Sequence, residues 1–405
     1  MRSYRSLALV LAASTLVTFL LTPLAIRLAR KVGAVVPPGD RRVHTSPTPT
    51  LGGLAMFGGL LAGVAVAATR TSFDAVFESR TTIAGVLGAA FVIFVSGFVD
   101  DIREVSAPAK LAGMILAGSV LTLAGTTIVN VPVPFVGFTV LAPDLAAVAS
   151  VAWVVVMANA ANLIDGLDGL AAGIVAIAAG SFLIYSIKLD HVGALDPANA
   201  GPLIAVIVVG VCLGFLPWNF HPAKVFMGDS GALLLGLLMA ASTIAVGGQS
   251  DDSFTGQSWF FFAPLVIPLV ILGVPLFDML FAVLRRTTRR RGFATADKDH
   301  LHHRLLRLGH SHRQSVLILW GFTGVLSAFA LVPVLTRKGV GLWPILAVGV
   351  ALLLFTMLMP RVNRRRQAET MRRNGDSGSA AAAEPGPAGS GATDPVELRE
   401  AASRR

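Results

Sequence analysis

The chain has 405 residues, 54% of them apolar and 14% charged, with a formal net charge of +10. A mean hydropathy of +0.72 lies well outside soluble usage, so the composition excludes an ordinary soluble globular domain and points to a membrane protein. The positive charge does not point to nucleic acid, because Lys and Arg gather beside apolar runs, where anionic lipid headgroups are the simpler partner. One cysteine, Cys212, rules out an internal disulfide.

In chain order, about eleven apolar runs of roughly 17 to 25 residues read as membrane spans. They cover residues 6–28, 51–68, 82–99, 109–125, 145–161, 167–187, 201–218, 231–246, 259–284, 315–335 and 340–359. The predicted fold is therefore an all-α polytopic integral membrane protein. The first run has the basic start and apolar core of a signal peptide, but it is long and leads into Arg27, Arg30 and Lys31 without a small-residue cleavage pattern. It is read as a retained span. The run at 259–284 carries Pro264, Pro268 and Pro275, which predicts a kink or tilt. Residues 1–360 form the expected transmembrane catalytic domain. Residues 361–405 begin with the basic stretch Arg361-Val-Asn-Arg-Arg-Arg366 and continue as an Ala, Gly, Ser and Pro-rich tail expected to be disordered.

Most of the 33 Lys and Arg residues fall in the connections after the first, third, seventh and ninth runs and in the tail. By the positive-inside rule the N-terminus is then outside and the C-terminus cytoplasmic. The acids, amides and histidines of four polar clusters played no part in that assignment, and they sort to the same cytoplasmic face.

The first cluster, residues 159–173, places Asn159, Asn162, Asp165 and Asp168 at steps of three between two apolar runs. An acid in or beside a span carries a penalty of roughly 2.5 to 3.5 kcal/mol, so this pair calls for a partner such as a cation. A plain turn and helix cap is the competing reading. The second is the adjacent pair Asp100 and Asp101, which repel unless a cation or a hydrogen-bond network holds them; two solvated loop acids are the alternative. In the third, Lys224 precedes Gly228-Asp229-Ser230-Gly231, where small residues let backbone amides approach an anion and Asp229 could face a metal or cap a helix. The fourth holds His300, His302, His303 and Arg304, either a phosphate grip or a zinc site that His310 and His312 could complete. No Gly-x-x-x-x-Gly-Lys-Ser/Thr loop and no EF-hand spacing occurs.

Together these residues resemble the polyprenyl-phosphate N-acetylhexosamine-1-phosphate transferase family. The likeness rests on Arg41-Arg-Val-His44 through Thr50-Leu-Gly-Gly53, Val99-Asp-Asp101 with Lys110, residues 159–169, Pro222-Ala-Lys-Val-Phe-Met-Gly-Asp229, and His300-Leu-His-His-Arg304. Val36 and Thr50 depart from it, standing where many relatives have Asp and Arg. The last motif is similar to the N-acetylglucosamine-1-phosphate branch; the phospho-N-acetylmuramoyl-pentapeptide branch usually reads His-His-His-Phe.

The resemblance implies UDP-N-acetylglucosamine and polyprenyl phosphate as substrates, UMP as product and magnesium, or manganese, as cofactor. It further implies a multi-pass location in the bacterial plasma membrane and allows a homodimer. It gives Asn162 and Asp229 as metal ligands, with Asn159, Asp165 and Asp168 supporting the metal or nucleotide. Lys110, Lys224, His300, His302, His303 and Arg304 would hold phosphates, and Asp100 and Asp101 would be catalytic. A cation-coupled transporter is the rival class, but its acids belong at mid-bilayer rather than at span ends.

Overall fold

A computed structural model of the chain describes residues 3–37, 47–133, 137–247, 305–306, 308–336 and 343–356. The predicted span at 259–284, the motif residues Arg41 to His44 and His300 to Arg304, and the basic tail lie outside them. Ten of the predicted runs coincide with helices. With the short α3, which no run predicted, the helices in order are α1 (Tyr4–Val32), α2 (Gly52–Ala67), α3 (Asp74–Glu78), α4 (Arg80–Ile102), α5 (Ala107–Leu123), α6 (Pro143–Ile164), α7 (Leu170–His191), α8 (Gly201–Asn219), α9 (Gly228–Gly247), α10 (His312–Thr336) and α11 (Trp343–Thr356). Seven are long and apolar enough to cross a membrane, or eight if α2 and the segment Thr71–Glu78, bent by 102°, count as one span. The chain is thus an all-α polytopic membrane protein. The fourth and eleventh predicted runs fold as shorter apolar helices.

Two small hairpins interrupt the helices. β1 (Val35–Val36) pairs with β2 (Thr48–Pro49), and β3 (Asn130–Val133) pairs with β4 (Gly137–Val140), both antiparallel. Runs this short show no period-2 pattern to read in a sequence dominated by apolar spans. Val36, one of the two departures noted above, lies in the first hairpin opposite Thr48, and Thr50 donates its N–H to the Ala34 carbonyl at 3.1 Å beside it.

The bundle is built around α9, whose most apolar stretch is 94% buried, against 28% for α1. A helix that is apolar on every side belongs at the centre. It packs against α2, α4, α6 and α8. Close approach depends on missing side chains: a Cβ at Gly236 would meet the backbone of Met157 and Ala158 on α6, and one at Gly97 would meet the backbone of Ser230. The polar groups that α9 buries are paired, Ser242 Oγ donating to the Gly201 carbonyl at 2.8 Å and Trp153 Nε1 donating to Thr243 Oγ1 at 2.9 Å. Unpaired groups in hydrocarbon would be costly. The outer helices turn large apolar side chains outward, among them Leu16 and Leu20 on α1, Phe91 on α4, Leu116 on α5 and Val148 on α6, as contact with lipid requires.

Candidate active site

The site forms where the C-terminal end of α4 and the N-terminal ends of α2, α5 and α9 meet the α6–α7 turn. Backbone bonds set the frame. Gly52 and Gly53, opening α2, donate their N–H groups to the Phe226 and Met227 carbonyls at 3.0 and 2.9 Å, while Phe226 N–H bonds to the Pro49 carbonyl at 2.8 Å. Gly228 then turns the chain into α9 with a left-handed φ of 68°. A side chain there would run into the Thr50 carbonyl and the Asp101 carboxylate, so only glycine fits.

The geometry separates the adjacent acids of α4. Asp101 caps α9: its Oδ1 accepts the Asp229 N–H at 2.8 Å, and its Oδ2 accepts the Ser230 N–H at 3.2 Å and the Ser230 hydroxyl at 2.6 Å. This satisfies three donors at the start of α9 that the helix itself leaves without partners. Asp100 accepts the Val105 N–H at 2.7 Å and forms an ion pair with Lys110 at 2.7 Å. The Lys110 ammonium also reaches Asp229 at 2.6 Å and so bridges two carboxylates from helices far apart in sequence.

The α6–α7 turn carries the remaining predicted residues. Asp165 N–H closes α6 on the Asn162 carbonyl at 3.2 Å, and Gly169 adopts a φ of 78° before α7 begins. The Asp165 side chain keeps some solvent-accessible surface but sits deep in the protein. Desolvation, reinforced by the nearby carboxylates of Asp229, Asp101 and Asp168, pushes its carboxyl up to about 8. Asn159 turns away from this group, donating to the Val155 carbonyl at 2.8 Å and contacting Met114 sulfur at 3.2 Å. Asp168 Oδ2 meets His221 Nδ1 at 2.7 Å and accepts the Ala223 N–H at 3.1 Å.

Lys224 does not pair with these acids. It is exposed, and its ammonium stacks on the Trp218 ring at 5.2 Å. The predicted His300, His302, His303 and Arg304 lie outside the described residues. Of the two histidines that could complete a zinc site with that cluster, His310 Nε2 bonds to the Thr356 carbonyl at 2.9 Å, and His312 Nε2 lies 4.0 Å from Asp168 Oδ2.

Two residues absent from the sequence-based site join it here. Asn219, 1% exposed, accepts the Gly169 N–H at 3.0 Å and donates to the Val225 carbonyl at 2.9 Å, tying the turn to the 219–227 loop. His221 holds Asp168. The only signal in the sequence was that both stand in the polar run leading to Asp229.

A helical membrane bundle with carboxylates gathered at its helix ends defines the class of protein, and comparison with known families agrees: residues 83–247, from α4 through α9, match the profile of glycosyl transferase family 4. The chain belongs to this family. It is 41% identical over 330 residues to decaprenyl-phosphate N-acetylglucosaminephosphotransferase of Mycobacterium tuberculosis, covering 80% of this chain and 81% of that protein. It is 35% identical over 351 residues to the probable undecaprenyl-phosphate N-acetylglucosaminyl 1-phosphate transferase of Bacillus subtilis, covering 86% and 90%. Similarity to the phospho-N-acetylmuramoyl-pentapeptide-transferase of Mycobacterium marinum is lower, 30% over 356 residues, covering 79% and 94%.

Proposed function

We propose that the chain transfers N-acetylglucosamine 1-phosphate from UDP-N-acetylglucosamine to polyprenyl phosphate and releases UMP. The observation that carries this is the 41% identity over 80% of the chain to a decaprenyl-phosphate N-acetylglucosaminephosphotransferase. A lipid phosphate oxygen attacks the sugar-linked phosphorus, a new P–O–P link forms, and the bond to the uridylyl phosphate breaks. One anhydride replaces another, so no nucleotide-hydrolysis loop is needed, in keeping with its absence from the sequence.

The donor set suits magnesium, a hard cation that takes oxygen ligands. Asn162 and Asp229 would hold it, and the crowding of Asp165 by Asp229, Asp101 and Asp168 is the negative field that a cation relieves. When bound, magnesium supplies charge neutralisation at the pyrophosphate oxygens and the leaving phosphate.

The chain's own groups divide the remaining work. Lys110, already between Asp100 and Asp229, provides the positive charge that lets two anionic substrates meet. Asp100 positions the lipid phosphate and stands ready to take its proton. A phosphate monoester with a second pKa of about 6 is mostly dianionic at neutral pH, so little base strength is required. Asp101 acts as a positioning residue through the α9 cap.

The active site faces the cytoplasm of a bacterial plasma membrane in a chain of about eleven spans with the N-terminus outside. That orientation is supported by Arg30 and Lys31 in the last turn of α1, a few residues before the hairpin that joins the site. The test is magnesium-dependent UMP release by the full chain from UDP-N-acetylglucosamine with added polyprenyl phosphate. Turnover of the muramoyl-pentapeptide nucleotide instead, or no UMP from either donor, would overturn the reading. A sugar-phosphoryl enzyme adduct formed as fast as turnover would overturn the single displacement.

A further inference from the structure

The 165–169 turn, the 219–227 loop and the start of α10 converge on a cluster that borders the candidate active site and shares Asp168 with it. Asp168, His221 and His312 each offer one ligand atom, and these atoms all lie within 4.8 Å of one another. Asp168 Oδ2 is 2.7 Å from His221 Nδ1 and 4.0 Å from His312 Nε2. The His312 side chain is 8% exposed, and neither of its ring nitrogens has a hydrogen-bond partner among the described residues. A buried imidazole with both nitrogens unsatisfied beside a carboxylate calls for a missing partner, an ion or a water.

We propose that Asp168, His221 and His312 bind a divalent cation of borderline softness, with zinc the best match, at a site separate from Asn162 and Asp229. Two imidazole nitrogens and one carboxylate oxygen are a donor set that suits zinc, whereas magnesium prefers oxygen alone. The His221 side chain is 33% exposed, which leaves an open side for a fourth ligand, water or a phosphate oxygen. The rings of His221 and His312 stack with centroids 4.2 Å apart and planes at 18°. An ion must lie close to both ring planes, so binding turns the His312 ring out of the stack.

The ion joins three segments that already meet through polar contacts at Asn219, His221 and Ala223. α10 already docks there through Arg313 Nε to the His221 carbonyl at 3.2 Å and Trp320 Nε1 to the Leu170 carbonyl at 3.3 Å. A cation shared by α10, the 219–227 loop and the Asp168 turn fixes their relative placement.

The test uses the full chain without a polyhistidine tag, stripped with a chelator and equilibrated with zinc chloride. Metal content by mass spectrometry should show one tightly held zinc per chain, and cobalt(II) in its place should give the visible absorption of a four-coordinate site. His312→Ala and His221→Ala should each weaken zinc binding by more than about 100-fold, beyond the roughly 10- to 100-fold typical of residues that only orient ligands. Replacing His300, His302 and His303 together by Ala should leave it unchanged. Thermal melting of the zinc-free proteins, with the size-preserving His312→Gln included, separates ligand loss from misfolding. Absence of zinc binding at micromolar concentration, or zinc lost from the triple variant and kept by a folded His312→Gln, would overturn the proposal.

Discussion

Asp101→Ala gives the sharpest test of how the two acids of α4 divide their roles. The substitution removes the acceptor for the Asp229 and Ser230 N–H groups and for the Ser230 hydroxyl. Loss of a helix N-cap costs about 0.5–2 kcal/mol, and loss of a hydroxyl bond to a charged group about 1.5–3 kcal/mol. Removing one carboxylate from beside Asp165 and Asp229 returns part of this by easing repulsion. The net loss is therefore roughly 2–4 kcal/mol of stability. Asp100→Ala should cost less, about 1–2 kcal/mol, because it gives up one partly exposed backbone bond from Val105 and an ion pair with a Lys110 that keeps Asp229 as a partner. The protein carries its own reporter. Cys212, the single cysteine, is fully buried, so a thiol-reactive fluorophore registers unfolding during a thermal ramp. Asp101→Ala should melt clearly below wild type, and Asp100→Ala nearer to it while losing most UMP release. Equal melting of the two variants, or a wild-type melt for Asp101→Ala, would refute the assignment of Asp101 as cap and Asp100 as the substrate-facing acid.

Asp165 makes the stability of the metal-free protein depend on pH. Its folded carboxyl sits at about 8 against an ordinary value of 3.8, so the folded state binds the proton more tightly than the unfolded one. Its contribution to stability is fully present below pH 3.8 and is lost as the pH rises toward 8. With metal chelated, melting should therefore fall across that window, and Asp165→Asn should flatten the fall and reduce the stabilisation gained on adding magnesium; an unchanged pH profile would show that Asp165 only ends a helix. Gly228→Ala should lower stability by about 2 kcal/mol or more, because a side chain at positive φ is strained and this one also displaces the Asp101 carboxylate. A wild-type melt in the same thiol assay would contradict the packing at the α9 start.

The helical membrane fold was legible before any coordinates because a bilayer imposes a length and a composition on each span. Runs such as 201–218 and 231–246 coincide with α8 and α9 to within a few residues. Spacing likewise drew attention to Asn159, Asn162, Asp165 and Asp168, since acids at span ends are too costly to be incidental, and the small residues around Asp229 drew attention to that acid. The depth of α9 was not legible, because α1 and α9 are both continuous apolar runs and only packing shows which one faces lipid.

Adjacency in sequence also concealed that Asp100 and Asp101 meet different partners. Successive residues on a helix point about 100° apart, so one side chain meets the start of α9 and the other meets Lys110. For the same reason Lys224, inside a motif, stacks on Trp218, while Asn219, His221 and His312 converge on the Asp168 turn from two other segments. Local composition and period therefore set the helices and their ends, which depend on neighbouring residues and the solvent each span must match. Which side chains share a carboxylate depends on contacts between residues more than a hundred positions apart, and those exist only once α4, α5 and α9 have packed.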